Sequence, residues 1–136
     1  MLTTVMLVED HRVMREALTY VLSRESDLLL VATAADADEA LAAGVRTNPH
    51  VVIMDVGLRG RDGVEATREL CRELSGVRVV ILSVRCTREL IDSAFAAGAC
   101  GYLVKNGSHR QLIDAIHLAA DGGCPLTDSA RRLLGK

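Results

Sequence analysis

The sequence has no apolar run longer than a few residues and no basic cluster larger than Arg131-Arg132. The first absence excludes a transmembrane helix, which needs about 20 mostly apolar residues, and the first residues also lack the features of a signal peptide. The second absence, together with a formal net charge of −2, excludes an electrostatic footprint for nucleic acid in this segment. We therefore expect a cytoplasmic protein without membrane contact, which could reach DNA only through a domain absent from this chain.

Closely spaced cysteine pairs are also missing. The four cysteines lie 15, 14 and 24 residues apart, at Cys71, Cys86, Cys100 and Cys124. These separations match neither the paired ligands of a zinc site nor a short redox motif. We therefore expect four reduced thiols.

The chain has 136 residues, of which 49% are hydrophobic and 25% charged, and this suits one compact domain with a sizeable core. Short aliphatic runs alternate with longer stretches of helical periodicity, the rhythm of an α/β fold. The runs predict strands at residues 5–8, 28–31, 51–54, 79–82 and 101–104. Each run is continuously apolar, which predicts five parallel strands buried on both faces.

Five helices are predicted between and after these strands. Two show apolar stripes at helical spacing, one with Val13, Met14, Ala17, Leu18, Val21 and Leu22, the other with Leu90, Ile91, Ala94 and Phe95. The others cover residues 36–43, 64–74 and 108–120, and the last opens with the capping-box spacing of Ser108 and Gln111. Gly44, Gly76, Gly98 and the pair Gly122-Gly123 mark predicted helix ends.

These elements predict a flavodoxin-like, doubly wound five-stranded parallel sheet in the order 2-1-3-4-5, with the five helices on both faces. Residues 124–136 fall outside this pattern. Pro125 interrupts the periodicity there, and residues 127–134 could begin an extra helix or a linker.

Polar residues follow four of the five predicted strands. Glu9 and Asp10 follow the first strand, Asp55 the third, Ser83 the fourth and Lys105 the fifth. The carboxyl ends of parallel strands share one edge of the sheet, and ligands bind there where the strand order reverses. In the order 2-1-3-4-5 the first and third strands are neighbours, so the three carboxylates are expected to converge.

Three carboxylates in contact repel each other unless one is protonated or a cation lies among them. Oxygen ligands with an incomplete protein shell favour Mg²⁺ over zinc or structural calcium. Lys105 would offer a positive charge and Ser83 a hydroxyl to a phosphoryl oxygen. Asp55 could itself attack phosphorus and form an acyl-phosphate.

With these residues in place, the sequence resembles the receiver domain of two-component response regulators over about residues 3–123. The resemblance rests on "LVEDH" (7–11), "VVIMD" (51–55), "GRDGVEA" (60–66), "VVILSV" (79–84) and "AGACGYLVKN" (97–106). The last stretch and "LIDAIHLAADGG" (112–123) resemble the NarL/FixJ (LuxR-type) subgroup, whose members usually carry a C-terminal helix-turn-helix domain. We accordingly divide the chain into a receiver domain at 1–123 and a tail at 124–136.

The resemblance implies a role for each matching position. It makes Asp55 the phosphoacceptor, with Lys105 and Ser83 beside the phosphoryl group and Ser83 and Tyr102 as switch residues. The magnesium ligands implied by the resemblance are Glu9, Asp10, Asp55 and the backbone carbonyl of Gly57. Tyr102 has the alternative role of plain core packing, because the chain has only three aromatic residues.

The resemblance also implies partners. The phosphoryl donor would be a sensor histidine kinase, and phosphorylation would repack the surface of the fourth helix, fifth strand and fifth helix. A homodimer could form through that surface or through the fifth helix. The protein would not be an enzyme beyond its own phosphorylation and dephosphorylation, and it would regulate transcription through a DNA-binding domain absent from this chain. The alternative is a single-domain phosphorelay or protein-interaction module without DNA-binding output.

Five positions depart from the family's pattern or vary within it. Leu58 and Arg59 stand where Met-Pro is frequent, and Asn106 replaces a common proline after Lys105. Gly57 and Arg85 occupy positions that tune phosphoryl lifetime in the family.

Two functions of other classes fit less well. A haloacid dehalogenase phosphatase needs a second acid where this chain has Gly57. A flavodoxin-like nucleotide-binding module needs a phosphate-cradling loop where Glu9 and Asp10 would repel phosphate.

Overall fold

The computed structural model describes residues 2–57, 62–105 and 108–135, and Leu58, Arg59 and Asn106 therefore lie outside the described residues. The elements follow in the order β1 Thr3–Val8, α1 Arg12–Ser23, β2 Leu28–Ala34, α2 Ala37–Thr47, β3 Val51–Asp55, α3 Gly63–Glu73, β4 Arg78–Ser83, α4 Arg88–Ala96, β5 Gly101–Val104, α5 His109–Ala120 and α6 Asp128–Leu133. All five predicted strands and all five predicted helices are present, and α6 is the extra helix.

The strands form one parallel sheet in the order β2-β1-β3-β4-β5, which confirms the predicted topology. Side chains of α1 and α5 pack with one face of the sheet, here called the α1–α5 side. Side chains of α2, α3, α4 and α6 pack with the other face, the α2–α4 side. Both faces of the central strands are therefore covered, and Val51 to Met54 of β3 have no exposed surface.

Polar caps fix where most of the helices begin. The side chains of Asp36, Asp62, Thr87 and Ser108 each accept a hydrogen bond from the backbone N–H three residues later. Such a cap satisfies one of the free N–H groups of the first helical turn. The cap predicted at Ser108 is confirmed, with 3.1 Å between its Oγ and the nitrogen of Gln111.

The prediction that every strand is buried on both faces is wrong for β2. In β2 only the first and last residues, Leu28 and Ala34, are buried, and Leu29 is 47% exposed. The reason is its place at the edge of the sheet, next to β1 alone among the described strands. An apolar run reports hydrophobicity but not whether a strand lies at the edge or in the centre.

Two helical predictions also need correction. In the predicted stripe of α1, Val13 is 69% exposed and Ala17 is exposed, because the helix contacts the sheet along a narrower line through Leu18 and Leu22. Gly44 does not end α2, which continues to Thr47. A Cβ at Gly44 would lie 2.8 Å from a methyl carbon of Leu70, so its glycine allows close approach of α2 and α3.

The chain continues beyond α5 as a segment that folds back onto the sheet. Residues 125–127 lie beside β5, with an isolated parallel bridge between Tyr102 and Leu126. The α6 helix then packs with its buried Ala130 on the α2–α4 side. In the described part of the chain, no helix has the length and apolar character needed to cross a bilayer.

Candidate functional site

The predicted site residues meet at the carboxyl edge of the sheet. Glu9 and Asp10 follow β1, while Asp55 and Ser83 are the last residues of β3 and β4. Lys105 follows β5, and its backbone N–H donates to the Ser83 carbonyl over 2.8 Å. The parallel order therefore brings together side chains that are up to 96 residues apart in sequence, from Glu9 to Lys105.

Three acids form a tight cluster at this edge. One carboxylate oxygen from each of Glu9, Asp10 and Asp55 lies within 4.8 Å of those of the other two. Glu9 is 1% exposed and Asp55 is 7% exposed, whereas Asp10 is half-buried. The structure thus brings together the acids that the sequence placed after two different strands.

Lys105 lies between two of these acids. Its Nζ is 2.8 Å from Glu9 Oε1 and 3.4 Å from Asp55 Oδ1. Burial alone would lower the pKa of Lys105, but the carboxylates of Glu9 and Asp55 together raise it above its ordinary value. The lysine therefore remains an ammonium and offers a fixed positive charge beside Asp55.

Glu9 is the most deeply buried acid of the cluster. Burial is the main reason that its pKa is raised, and the nearby Asp55 raises it further, although Lys105 acts in the opposite direction. Its Oε2 accepts a hydrogen bond from the His11 N–H over 3.1 Å. Its Oε1, although close to Lys105 Nζ, accepts no hydrogen bond of acceptable geometry from the described residues.

A buried carboxylate oxygen that is close to a cation but lacks a well-directed hydrogen bond is unusual, because its lost hydration is then only partly compensated. Together with the two neighbouring carboxylates, it fits a hard cation with oxygen ligands. The cluster of Glu9, Asp10 and Asp55 could therefore hold a metal ion.

The start of α3 fixes the backbone around Asp55. The Gly63 N–H donates to the Val56 carbonyl over 2.9 Å, and the Gly57 N–H donates to Asp55 Oδ1 over 3.1 Å. A Cβ at Gly63 would overlap the carbonyl oxygen of Asp55. Glycine at this position therefore allows α3 to approach the end of β3 closely. Gly57, the predicted carbonyl ligand, is exposed two residues beyond Asp55.

A cavity of about 280 Å³ opens next to Asp55. Its lining includes Ser83, Arg85 and Asp62, as well as the apolar Val84 and Leu90. The sequence reasoning did not single out Asp62, Val84 or Leu90 as lining residues. Asp62 could have been found from the sequence, because its capping position before α3 places it near the end of β3. No sequence pattern around Leu90 indicates that it lines the cavity.

Ser83 of β4 and Tyr102 of β5 both form hydrogen bonds with Arg85, in the loop after β4. Ser83 is 2% exposed, and its Oγ accepts a hydrogen bond from the Arg85 N–H over 3.1 Å. Tyr102 has no exposed surface, and its hydroxyl donates to the Arg85 carbonyl over 2.6 Å. Burial is also the main reason that the pKa of Tyr102 is raised. Tyr102 is thus both a core residue and a polar contact of the loop at the site.

One basic residue near the site was missed by the sequence reasoning. Arg15 of α1 donates from Nη1 to the Glu9 carbonyl over 2.9 Å, and so it ties α1 to the end of β1. Its position three residues into a helix gave no sequence signal, since the contact depends on how α1 lies against the sheet.

The arrangement has the parts that phosphoryl transfer needs. Asp55 and Ser83 offer a carboxylate and a hydroxyl to the cavity. Next to Asp55 lie the acid cluster, which suits a divalent cation, and the Lys105 ammonium. Catalysis of this reaction depends on positioning and on stabilising the charge of the transferring group.

Comparison with known proteins agrees with this geometry. Residues 5–117 match the family described as the response regulator receiver domain. The chain is 33% identical over 118 residues to the transcriptional regulatory protein LiaR of Bacillus subtilis, covering 87% of this chain and 56% of that protein. It is 36% identical over 124 residues to the transcriptional regulatory protein UhpA of Salmonella typhimurium, covering 91% of this chain and 62% of that protein.

A solved structure is also similar to this chain. The two-component response regulator of the LuxR family from Aurantimonas sp. superposes with a TM-score of 0.92 and 32% identity, covering 99% of this chain and 97% of that one. By contrast, the chain spans only about three-fifths of the length of the two curated relatives, 56% and 62% respectively.

Proposed function

The chain belongs to the family of response regulator receiver domains, and from this premise we propose that it takes up a phosphoryl group on Asp55 in a Mg²⁺-dependent reaction. The observation that carries the proposal is the position of Asp55. Its carboxylate borders the open cavity, belongs to the acid cluster and lies 3.4 Å from the Lys105 ammonium.

The phosphoryl donor in this proposal is a phosphohistidine of a sensor histidine kinase. A carboxylate oxygen of Asp55 attacks phosphorus, the P–O bond forms and the P–N bond to the imidazole breaks. The departing imidazole takes up a proton from solvent, and the product is an acyl-phosphate on Asp55. Later attack of water returns the carboxylate and releases inorganic phosphate.

Glu9, Asp10 and Asp55, with the backbone carbonyl of Gly57, would hold the Mg²⁺ ion. When bound, the ion would supply positive charge to the oxygens of the transferring phosphoryl group. The buried Oε1 of Glu9 supports this assignment, because it lies 2.8 Å from Lys105 Nζ but accepts no hydrogen bond of acceptable geometry from the described residues. Glu9 and Asp10 keep the site negative until a cation arrives, and this favours occupation by a divalent ion.

Lys105 and Ser83 bind the phosphoryl group in this proposal. Lys105 leaves its ion pair with Glu9 far enough to contact a phosphoryl oxygen, while the Ser83 hydroxyl donates to another. Both are held by β-strand ends with a direct backbone bond between them. This shared anchoring supports a concerted response of the two side chains.

The exposed face of α1 suits the docking of the kinase. Val13, Ala17 and Tyr20 are all exposed and recur at helical spacing, so they form one apolar stripe. The stripe starts three residues after Asp10, which is part of the acid cluster. Exposed apolar patches of this kind commonly mark protein interaction sites. A kinase helix on this stripe would bring its phosphohistidine near Asp55.

The output in this proposal is regulation of transcription. Both curated relatives are transcriptional regulatory proteins, each longer than this chain, and DNA contact would occur through a domain outside it. Phosphorylation would change partner contacts or promote a homodimer through the α4, β5 and α5 face or through α5. The alternative is a single-domain phosphorelay or protein-interaction module without DNA-binding output. In either case we expect the chain in the cytoplasm, where it catalyses only its own phosphorylation and dephosphorylation.

The proposal is tested with acetyl phosphate and Mg²⁺ as the phosphoryl donor system. We expect intact-protein mass spectrometry to find one added phosphoryl group on the parent chain. Asp55→Asn should remove it completely, because an amide is not a nucleophile for this step. The matched control Asp114→Asn, at an exposed position of α5, should be labelled like the parent. Equal labelling of Asp55→Asn would overturn the assignment, and chelation of Mg²⁺ should abolish labelling of the parent.

A further inference from the structure

Residues 124–134, here called the C-terminal segment, cover the outer edge of β5. The Tyr102 N–H donates to the Pro125 carbonyl over 2.9 Å, and the Thr127 N–H donates to the Tyr102 carbonyl over 3.2 Å. Pro125 is buried and Ala130 has no exposed surface, while Leu126 and Leu134 pack against the core of the α2–α4 side. The segment therefore occupies the edge as an added strand would.

The edge of β5 is shaped for this segment. A Cβ at Gly101 would lie 2.6 Å from both Cγ and the carbonyl oxygen of Pro125, so glycine is needed for the close approach. A second attachment comes from α4, where Arg88 donates from Nη1 to the Leu133 carbonyl over 2.9 Å. The segment is thus held by β5 at its start and by α4 at its end.

Both attachments of the segment are connected to the site through the loop of residues 84–87. Tyr102, whose backbone bonds the segment, donates its hydroxyl to the Arg85 carbonyl, and the Arg85 N–H donates to Ser83 Oγ. Arg88 follows the same loop at the first turn of α4. A continuous path of hydrogen bonds therefore links Ser83 in the cavity to Pro125 in the segment.

We propose that the C-terminal segment is an intramolecular cover of the β5 edge and α4, and that occupancy of the Asp55 site loosens it. The inference rests on the proposed function of Asp55 and adds the element that responds. A partner that uses the α4 and β5 face has to displace this segment first. Tyr102, which the family resemblance makes a switch residue, contacts both this segment and the loop at the site.

The hydrogen bonds of Ser83, Tyr102 and Arg88 predict that occupancy of the Asp55 site weakens the attachment of the segment. A Ser83 hydroxyl that donates to a phosphoryl group moves toward Asp55, and the loop of residues 84–87 moves with it. The Arg85 carbonyl then withdraws from the Tyr102 hydroxyl, and Arg88 shifts relative to Leu133. The attachment at Leu133 then weakens directly. At the β5 attachment, Tyr102 loses the hydroxyl contact that holds its side chain.

Hydrogen exchange at two amides tests the proposal directly. The N–H groups of Tyr102 and Thr127 form hydrogen bonds across the junction of segment and strand, so their exchange reports its opening. We expect beryllofluoride with Mg²⁺ to speed their exchange by about tenfold in the full chain. The Ile81 amide, inside the central strand β4, should not change.

The Gly57 amide separates the two proposals, because it is bonded to Asp55. If its NMR signal is unmoved by beryllofluoride, the site is not occupied and the proposed function fails, together with the inference. If the Gly57 signal moves while exchange at Tyr102 and Thr127 is unchanged or slower, the site binds but the cover is not coupled to it.

The two tyrosines of the chain provide matched variants. Tyr102→Phe keeps the ring and the backbone bonds but removes the hydroxyl contact with Arg85. We expect beryllofluoride to speed Thr127 exchange less than twofold in this variant. Tyr20→Phe, in exposed α1, should respond like the parent. A full response in Tyr102→Phe would remove Tyr102 from the coupling path.

Discussion

Along β3, the middle and the carboxyl end bury side chains of opposite chemistry. Ile53 has no exposed surface and packs among aliphatic residues on the α1–α5 side. Asp55, two residues later, is 7% exposed and lies among two other carboxylates and a lysine. Burial alone does not tell these two positions apart.

The difference lies in what surrounds each side chain. Ile53 is packed among aliphatic side chains, which is a fully favourable environment for an apolar residue. Among the described residues, the neighbours of Asp55 leave charge unbalanced, since three acids there share one ammonium. A buried side chain whose surroundings match its polarity contributes to stability. A buried charge that its neighbours do not balance is suited to binding a ligand.

The strongest test of this comparison is to truncate the buried side chain of Ile53. Ile53→Ala should lower the free energy of unfolding by about 2–5 kcal/mol, because it leaves a cavity in a closed core. Asp55→Asn should lower it by much less, since it also relieves repulsion among the acids. Urea unfolding followed by circular dichroism measures both. A larger loss in Asp55→Asn would show that the acid cluster, and not the core, stabilises this end of β3.

A second test separates two functions within the site. Lys105→Ala should slow phosphoryl uptake from acetyl phosphate by about 10²-fold, as expected for loss of one group that stabilises the transferring charge. Binding of Mg²⁺ should be retained, because none of the three acids is removed. Mass spectrometry over time and titration calorimetry with Mg²⁺ measure the two effects. Loss of Mg²⁺ binding in step with uptake would contradict this division of roles.

The two edges of the sheet extend the comparison. The edge strand β2 is largely half-exposed or exposed, with Leu29 at 47%, while β5 at the other edge keeps its first three residues buried. The C-terminal segment accounts for the difference, because Pro125 and Thr127 bond the outer side of β5.

Substitutions at these edges should therefore differ in cost. Gly101→Ala should lower the free energy of unfolding by about 1–3 kcal/mol, because its methyl group has no room beside Pro125. Leu29→Lys on the exposed edge should change it by no more than about 0.5 kcal/mol. Thermal and urea unfolding of the two variants measure this. Equal effects would mean that the segment adds little to the stability of its edge.

Much of the site could be predicted because its signals are local. Asp55 and Ser83 end apolar runs, and Glu9, Asp10 and Lys105 directly follow others. A parallel α/β fold places all such positions at one edge. The structure brings the three acids and the lysine together as expected, while their roles in phosphoryl transfer remain predictions.

Other features depended on contacts between distant parts of the chain. The ion pair of Lys105 with Glu9 joins residues after β5 and β1, and the contact of Arg15 with the Glu9 carbonyl depends on the tilt of α1. The exposure of Val13 and Ala17, and the place of Gly44 within α2, likewise follow from which neighbour each helix meets.

The sequence by itself determined the kind and order of the elements, the parallel sheet and the polar residues at its carboxyl edge. Periodicity and capping are properties of neighbouring residues, so they can be read without coordinates. Only the tertiary structure decided that β2 lies open, that residues 124–134 cover β5, and that Tyr102 joins this cover to the loop of Ser83. These features depend on which surfaces meet across the fold, and that information is spread over segments far apart in the chain.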